Sequence, residues 1–229
     1  MAPVIMCAGL TRRFVSPGLD PVFAVSDVEL TVGAGEFVAI EGPSGSGKTT
    51  LLGLLAGLEL ADSGSVSVLG HDLARLDMTE RARLRRSRIG IVLQTYGLIA
   101  ALRVAENVAL PLALDGVGLP ERTARAQEAL DTVGLARMAG SRIDELSGGE
   151  RQRVAVARAL VIRPAVVFAD EPVGSLDDEN ARGVLDLLVD LNERTGTAVV
   201  LVTHDPASAA RAGRHLRMAD GQLLEGTHS

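Results

Sequence analysis

Cysteine, tryptophan and lysine are nearly or wholly absent from this chain, and each shortage excludes something. One cysteine, Cys7, rules out an internal disulfide framework and any zinc site built on cysteines. There is no tryptophan, and the only aromatic rings are Tyr96, Phe14, Phe23, Phe37 and Phe168, so few residues can stack on a flat ligand. No apolar run approaches the roughly 18 residues of a membrane span. The stretch Met1 to Phe14 has no basic segment followed by an apolar core, and no signal peptide is expected. Basic charge is also short: 23 Lys and Arg stand against 29 Asp and Glu, a formal charge of −6. That balance argues against nucleic-acid binding through the overall field. The sequence thus predicts a soluble, cytoplasmic protein, and its 229 residues are enough to bury a core without disulfides or structural metal.

Arginine supplies 22 of the 23 basic residues, and the one lysine is Lys48. Arginine replaces lysine on most surfaces, but its planar fork cannot replace a compact ammonium between phosphates. Lys48 therefore marks a place where that geometry is required.

The hydrophobic pattern predicts an α/β fold. Val28, Leu30 and Val32 alternate as a strand, Phe37 to Ile40 is a short apolar strand, and an apolar helix follows from about Lys48 to Ala56. Further strands are expected at Ser65–Leu69 and Ile89–Leu93. From about Arg103 to Val133 the chain reads as helical, broken at Pro111 and at Gly116–Pro120. After Ser147 the order is helix, buried strand (Val166 to Ala169), helix, buried strand (Ala198 to Val202), the signature of a parallel sheet covered on both faces. Asp220-Gly221 reads as a hairpin turn between His215–Ala219 and Gln222–Glu225.

The strongest motif is Gly42-Pro43-Ser44-Gly45-Ser46-Gly47-Lys48-Thr49, followed by Thr50. It fits the phosphate-binding loop pattern and lies between a predicted strand and a helix, the context that pattern requires. Glycines let successive backbone N–H groups face phosphate oxygens, and the helix N-terminus adds partial positive charge. Lys48 is expected on the β- and γ-phosphates and the Thr49 hydroxyl on Mg²⁺. A second motif, Val166 to Glu171, is an apolar strand ending in two carboxylates. Asp170 is expected to hold Mg²⁺ and Glu171 to polarise the attacking water. A third is Leu146-Ser147-Gly148-Gly149-Glu150. Ser147 and Glu150 make a capping box. The two glycines inside it leave a helix end that offers bare amides to an anion, and a second copy of the chain is the natural source of that anion.

In this order of motifs the sequence resembles the ATPase subunits of ABC transporters. The resemblance runs along nearly the whole chain: the phosphate loop, Gln94, the LSGGE segment at 146–150, Asp170-Glu171, Ser175-Leu176-Asp177 and His204. It implies a P-loop core at about 1–94 and 161–229, an N-terminal antiparallel β part and an inserted helical subdomain at about 95–160. It implies ATP and Mg²⁺ as ligands, with two chains pairing head-to-tail on ATP so that each nucleotide lies between the P-loop of one and Ser147, Gly148 and Gly149 of the other. Gln94 then touches Mg²⁺ and senses a membrane permease. His204 contacts the γ-phosphate, Asp177 links the two sites, and Phe14 in Thr11-Arg12-Arg13-Phe14 stacks on adenine in place of the more usual tyrosine.

A narrower resemblance, to the macrolide-exporter and lipoprotein-release group, rests on Leu84-Arg85-Arg86, Ile89 to Gln94 and Glu106 to Leu112. Ala100, Arg103 and Leu93 depart from it where Pro, Thr and Phe are common. The implied protein is a peripheral subunit on the inner face of the membrane. The alternative is a soluble ATPase of the same type that acts on a protein assembly. A GTPase would need an N-K-x-D motif, which a chain whose one lysine is Lys48 does not have. The arginines of 81–88 lack interleaved aromatics and read as a solvated helix face, not a nucleic-acid site.

Overall fold

The computed structural model describes residues 3–15, 17–18 and 20–225. Residues 1–2, 16, 19 and 226–229 lie outside them. Strands β1 (Ile5–Phe14) and β2 (Val22–Val32) form an antiparallel hairpin, followed by β3 (Phe37–Glu41), α1 (Lys48–Leu55), β4 (Ser63–Val68) and β5 (His71–Asp72). Next come α2 (Met78–Arg88), β6 (Ile89–Leu93), α3 (Val104–Leu114), α4 (Leu119–Thr132), 3₁₀ turns at Ala136–Met138 and Ile143–Glu145, and α5 (Gly148–Leu160). The chain continues through β7 (Val166–Asp170), α6 (Asp178–Thr195), β8 (Ala198–Thr203), α7 (Pro206–Ala209), β9 (Arg214–Ala219) and β10 (Gln222–Glu225).

Two sheets result. The first, in order β2-β1-β4-β5, is antiparallel; the second, β10-β9-β3-β8-β7-β6, is parallel except for its edge strand β10. Strand periodicity then splits the core in two. Val38, Ile40, Val166, Phe168, Val200 and Val202 face the cluster shared with α1 and the antiparallel sheet. Phe37, Val167, Ala169, Val199 and Leu201 face the other way, into the cluster shared with α3 to α6. With both faces covered, β7 and β8 are buried at every position, which is why they read as unbroken apolar runs. Phe168 is fully buried; its truncation to Ala would cost about 3–5 kcal/mol.

One expected break is absent. Pro111 lies inside α3, which runs on to Leu114. A proline removes one donor and need not end a helix that tertiary contacts hold, and here Val104, Val108 and Leu112 are buried on one face. The true break is Gly116 at φ 79°, and Pro120 opens α4 in its first turn. The arginines of α2 are partly spent on the fold: Arg81 donates to the Leu76 carbonyl at 2.6 Å and Arg85 to that of Gly57 at 2.5 Å.

Parallel pairing sets the site. The register aligns Glu41 with Thr203, Asp170 with Val202, and Leu93 with Asp170. The residues that follow these strand ends, Gly42, His204, Glu171 and Gln94, therefore emerge along one edge of the sheet, where open α/β folds bind ligands.

Candidate nucleotide site

The loop after β3 wraps tightly because its glycines allow it. Gly45 and Gly47 have φ of 81° and 102°, and a Cβ at Gly47 would overlap the Ala24 carbonyl of β2. Ser46 closes the loop with its N–H to the Pro43 carbonyl at 3.2 Å, while Gly221 N–H donates to the Ser46 carbonyl at 3.1 Å. The Ser46 hydroxyl oxygen is buried and has no hydrogen-bond partner among the described residues. Gly47 has no side chain to cap α1, and the first turn of that helix holds no acidic residue. Its N-terminal amides and dipole are thus left for an external anion.

Lys48 is buried, and its Nζ donates to the carbonyls of Gly42 at 2.8 Å and Pro43 at 3.0 Å. It also lies 3.8 Å from Glu171 Oε1. The other carboxylate oxygen of Glu171 accepts from the Thr203 hydroxyl at 3.4 Å and lies 2.9 Å from His204 Nδ1. Thr49 Oγ1 donates to Asp170 Oδ1 at 3.0 Å. Burial raises the Asp170 carboxyl above its ordinary value, against the hydrogen bond from Thr49 and with the charge of Glu171 adding to the rise. A cleft of about 400 Å³ is lined by Ser44, Gly45 and Gly47 to Thr50 of the loop, by Ala24 of β2, and by Gln94, Glu171 and His204.

The donor set suits a hard divalent ion. The Thr49 hydroxyl and Asp170 carboxylate are already in contact, and Gln94 lines the same cleft. No group of three or more His, Cys, Asp or Glu residues fit for a metal occurs among the described residues. Few protein oxygens and many waters or phosphates is the arrangement Mg²⁺ takes in nucleotide sites.

The structure gathers Ser44, Gly45, Gly47, Lys48, Thr49, Thr50, Gln94, Glu171 and His204 in this cleft. Gly42, Pro43 and Ser46 lie in the loop behind it and Asp170 touches it through Thr49, while Ser147, Gly148, Gly149, Asp177 and Phe14 are outside its lining. Ser147 caps α5 as expected: Glu150 Oε2 accepts from Ser147 N–H and from its hydroxyl, each at 2.8 Å, and Glu150 N–H returns a bond to Ser147 Oγ at 3.3 Å. Packing adds a second constraint on the two glycines. Gly149 is buried, and a Cβ there would overlap the Asn180 side chain. Only the Ser147–Gly148 end is open. Asn180 is in turn held by Asp177, whose Oδ2 accepts from Asn180 Nδ2 at 2.8 Å, and by Arg153 at 3.0 Å. The backbone N–H of Asn180, and then its side chain, hold Asp177 below the ordinary carboxylate range.

Several contributing residues carry no sequence signal. Thr203 steadies Glu171. Arg158 of α5 donates to the carbonyls of Tyr96 at 2.8 Å and Gly97 at 2.6 Å, pinning the loop that follows Gln94. Asn107, fully buried, binds both polar groups of the Ile99 backbone and fixes the far end of that loop.

The family model described as ABC transporter matches residues 25–174. The macrolide export ATP-binding/permease protein MacB of Neisseria meningitidis is 42% identical over 224 residues, 98% of this chain and 34% of that protein. The protein of that name from Neisseria gonorrhoeae gives the same figures. The chain thus spans about a third of the length of these relatives. Among solved structures, the dimeric post-hydrolysis state of the ATP-binding cassette MJ0796 bound to ADP and Pi superposes with a TM-score of 0.90 at 36% identity, covering 98% of this chain and all of that one. The dimeric structure of MJ0796, a bacterial ABC transporter cassette, gives 0.89 at 38% identity, over 97% of this chain and all of that one.

Proposed function

The chain belongs to the ABC transporter family, and from that premise we propose that it is the ATP-hydrolysing cassette of a transporter, working as a pair of chains beneath a membrane permease. One observation carries the reading. The phosphate loop, Asp170, Glu171, Gln94 and His204 meet at one sheet edge, while the Ser147–Gly148 helix end lies outside the cleft there. A second chain turned head-to-tail is the source that would bring Ser147 to the triphosphate.

In this reading the α1 amides and Lys48 bind the phosphates, exchanging carbonyl partners for phosphate oxygens. Thr49, Asp170 and Gln94 hold Mg²⁺, which supplies neutralising charge for the phosphoryl group. Glu171 orients water, and His204 keeps that carboxylate in place. Phe14 stacks on adenine. Residues 95–160 form a helical subdomain that carries Ser147 toward the partner's phosphates. Asp177, exposed at the start of α6, faces the same interface.

The permease contact is assigned to a groove of about 310 Å³ between α2, α3 and β6, lined by Leu58, Ile91, Leu93, Leu110 and Leu114 with Arg85 at its side. Leu58 and Leu114 are 50% and 63% exposed, and Leu93 directly precedes Gln94, so a seated segment would act on the Mg²⁺ ligand. The relatives named as ATP-binding/permease proteins support this partner. No helix among the described residues is long and apolar enough to cross a membrane. The permease partner is what would hold this chain at the cytoplasmic face.

Phosphate release measured against protein concentration tests the two-chain site. The rate per chain should rise with concentration and vanish in Ser147→Arg. A rate independent of both would overturn it.

A further inference from the structure

Phe14 ends β1, pairs with Val22 across the hairpin and is 44% exposed. The guanidinium of Arg12 lies over one face of its ring, 5.2 Å from the centroid. Residues two apart on a strand share a side, and Arg12 and Phe14 keep this contact although the pairing with β2 shifts register between Arg12 and Arg13. Arg12 is not free to leave. Its Nη1 donates to Asp62 Oδ1 at 3.0 Å, and its Nε lies 3.6 Å from Glu59 Oε2. Asp62 is itself fixed, because its second oxygen accepts from the Arg13 backbone N–H at 2.7 Å. Glu59 and Asp62 belong to the segment between α1 and β4. The segment that follows the phosphate-binding helix thus holds a cation against the ring.

We propose that Arg12 is a positioning residue for the nucleotide base: it covers one face of Phe14 and holds the ring so that its other face is the platform on which the purine stacks. This rests on the reading of Phe14 as the base platform of an ATP site. A half-exposed phenylalanine at the end of a hairpin would otherwise sample rotamers and offer either face. Held under Arg12, it loses that freedom before the ligand arrives, and the stack costs less to form. The platform has no hydrogen-bonding group to read the base edge, so it selects flat purines over pyrimidines and discriminates weakly between purines.

Binding of Mg-ADP, which is not hydrolysed, can be compared by calorimetry with binding of Mg-pyrophosphate, which has no base. Arg12→Met should weaken ADP by about two- to fivefold, the size of an exposed cation–ring contact, and leave pyrophosphate unchanged. Arg12→Lys, which keeps a cation and the tie to Asp62, should recover part of the loss. Phe14→Ala should weaken ADP by about fivefold or more, and adding Arg12→Met to it should change nothing further, because Arg12 acts through the ring. If Phe14→Ala weakens ADP while Arg12→Met does not, the inference fails and the reading of Phe14 stands. If Phe14→Ala binds ADP as the parent does, the reading of Phe14 fails with it. Equal losses of ADP and pyrophosphate in Arg12→Met would make Arg12 part of the general phosphate field and overturn the proposal.

Discussion

Glu171 Oε2 and His204 Nδ1 lie 2.9 Å apart across the strand ends of β7 and β8. The pair is asymmetric: the carboxylate is 13% exposed and the imidazole 52%. Glu171 also carries a φ of 44°, a left-handed conformation that favours glycine and costs on the order of 1 kcal/mol in other residues. Its N–H bond to the Val202 carbonyl at 3.0 Å keeps it there. With Lys48 3.8 Å from its other oxygen, the carboxylate has internal partners on both sides. In the proposed reading, a triphosphate entering the cleft competes with Glu171 for Lys48, and drawing Lys48 away would free one side of the carboxylate to meet water.

The single lysine makes that step measurable. Lys48→Ala should abolish hydrolysis, and Lys48→Arg should do no better, since a planar fork does not fit where one Nζ meets two carbonyls 2.8 and 3.0 Å away. In the parent protein, acylation of the peptide containing Lys48, followed by mass spectrometry, should be slow because the side chain is buried. Mg-ATP should slow it further. Lys48 labelling unaffected by saturating Mg-ATP would remove it from the phosphate site.

Gly149 is constrained by packing against Asn180. Gly149→Ala should push Asn180 off Asp177 and Arg153 and destabilise the fold by about 1–3 kcal/mol, the usual cost of overpacking. Combining it with Asn180→Ala should recover much of that loss, because the overlapping atoms are gone. Urea unfolding of the two single variants and the double variant checks this, and additive losses would count against the overlap.

The parallel sheet and most of the cleft were legible because both follow from local rules; the order of the strands was not. Apolar runs at Val166–Ala169 and Ala198–Val202 can only be buried parallel strands in an alternating pattern, and a phosphate loop needs a strand before it and a helix after it. The packing against those elements was not legible. Nothing in the sequence pairs Gly149 with Asn180 or Arg158 with the Tyr96 carbonyl, since these contacts join segments whose relative placement comes from tertiary packing. Pro111 was read as a break because propensity is local, whereas the burial of Val108 and Leu112 that keeps α3 intact is not. Phe14 was singled out by resemblance, but the arginine covering its ring sits two residues earlier in a motif that gave it no role.

The Ser147–Glu150 box predicts a pH dependence of defined sign. The backbone N–H and hydroxyl of Ser147 hold the Glu150 carboxyl below its ordinary value of 4.5. A carboxylate with a lowered folded pKa contributes fully above the ordinary value and loses its contribution as pH falls through the lower, folded one. Glu150→Gln should therefore be less stable than the parent by about 0.5–1 kcal/mol at pH 7, the scale of an acidic group at a helix N-terminus. The gap should narrow below pH 4.5. Urea midpoints from pH 3 to 7 give both curves. A gap that does not change with pH would mean that the carboxylate charge plays no part in holding this end of α5.

Glu171→Gln separates closure from hydrolysis. The amide has the shape of the carboxylate, so an oxygen remains to face His204, and the Thr49–Asp170 contact and the Lys48 carbonyl bonds are untouched. What is lost is the negative charge that polarises water. ATP can then still draw two chains together through the phosphate loop of one and the Ser147 helix end of the other, but the bond that would release them is not cleaved. In gel filtration the variant should elute as a monomer without nucleotide or with ADP, and at twice that mass with Mg-ATP. Adding Ser147→Arg should return it to monomer, because Ser147 is exposed and a long cation there would fill the space the partner's phosphate needs. The double variant also controls for nonspecific association, since it leaves the cleft of each chain unchanged. A species that stays monomeric in ATP up to the highest soluble concentration would make Ser147 a helix cap and no more. A dimer that forms without ATP and survives Ser147→Arg would place the contact between chains somewhere other than the nucleotide.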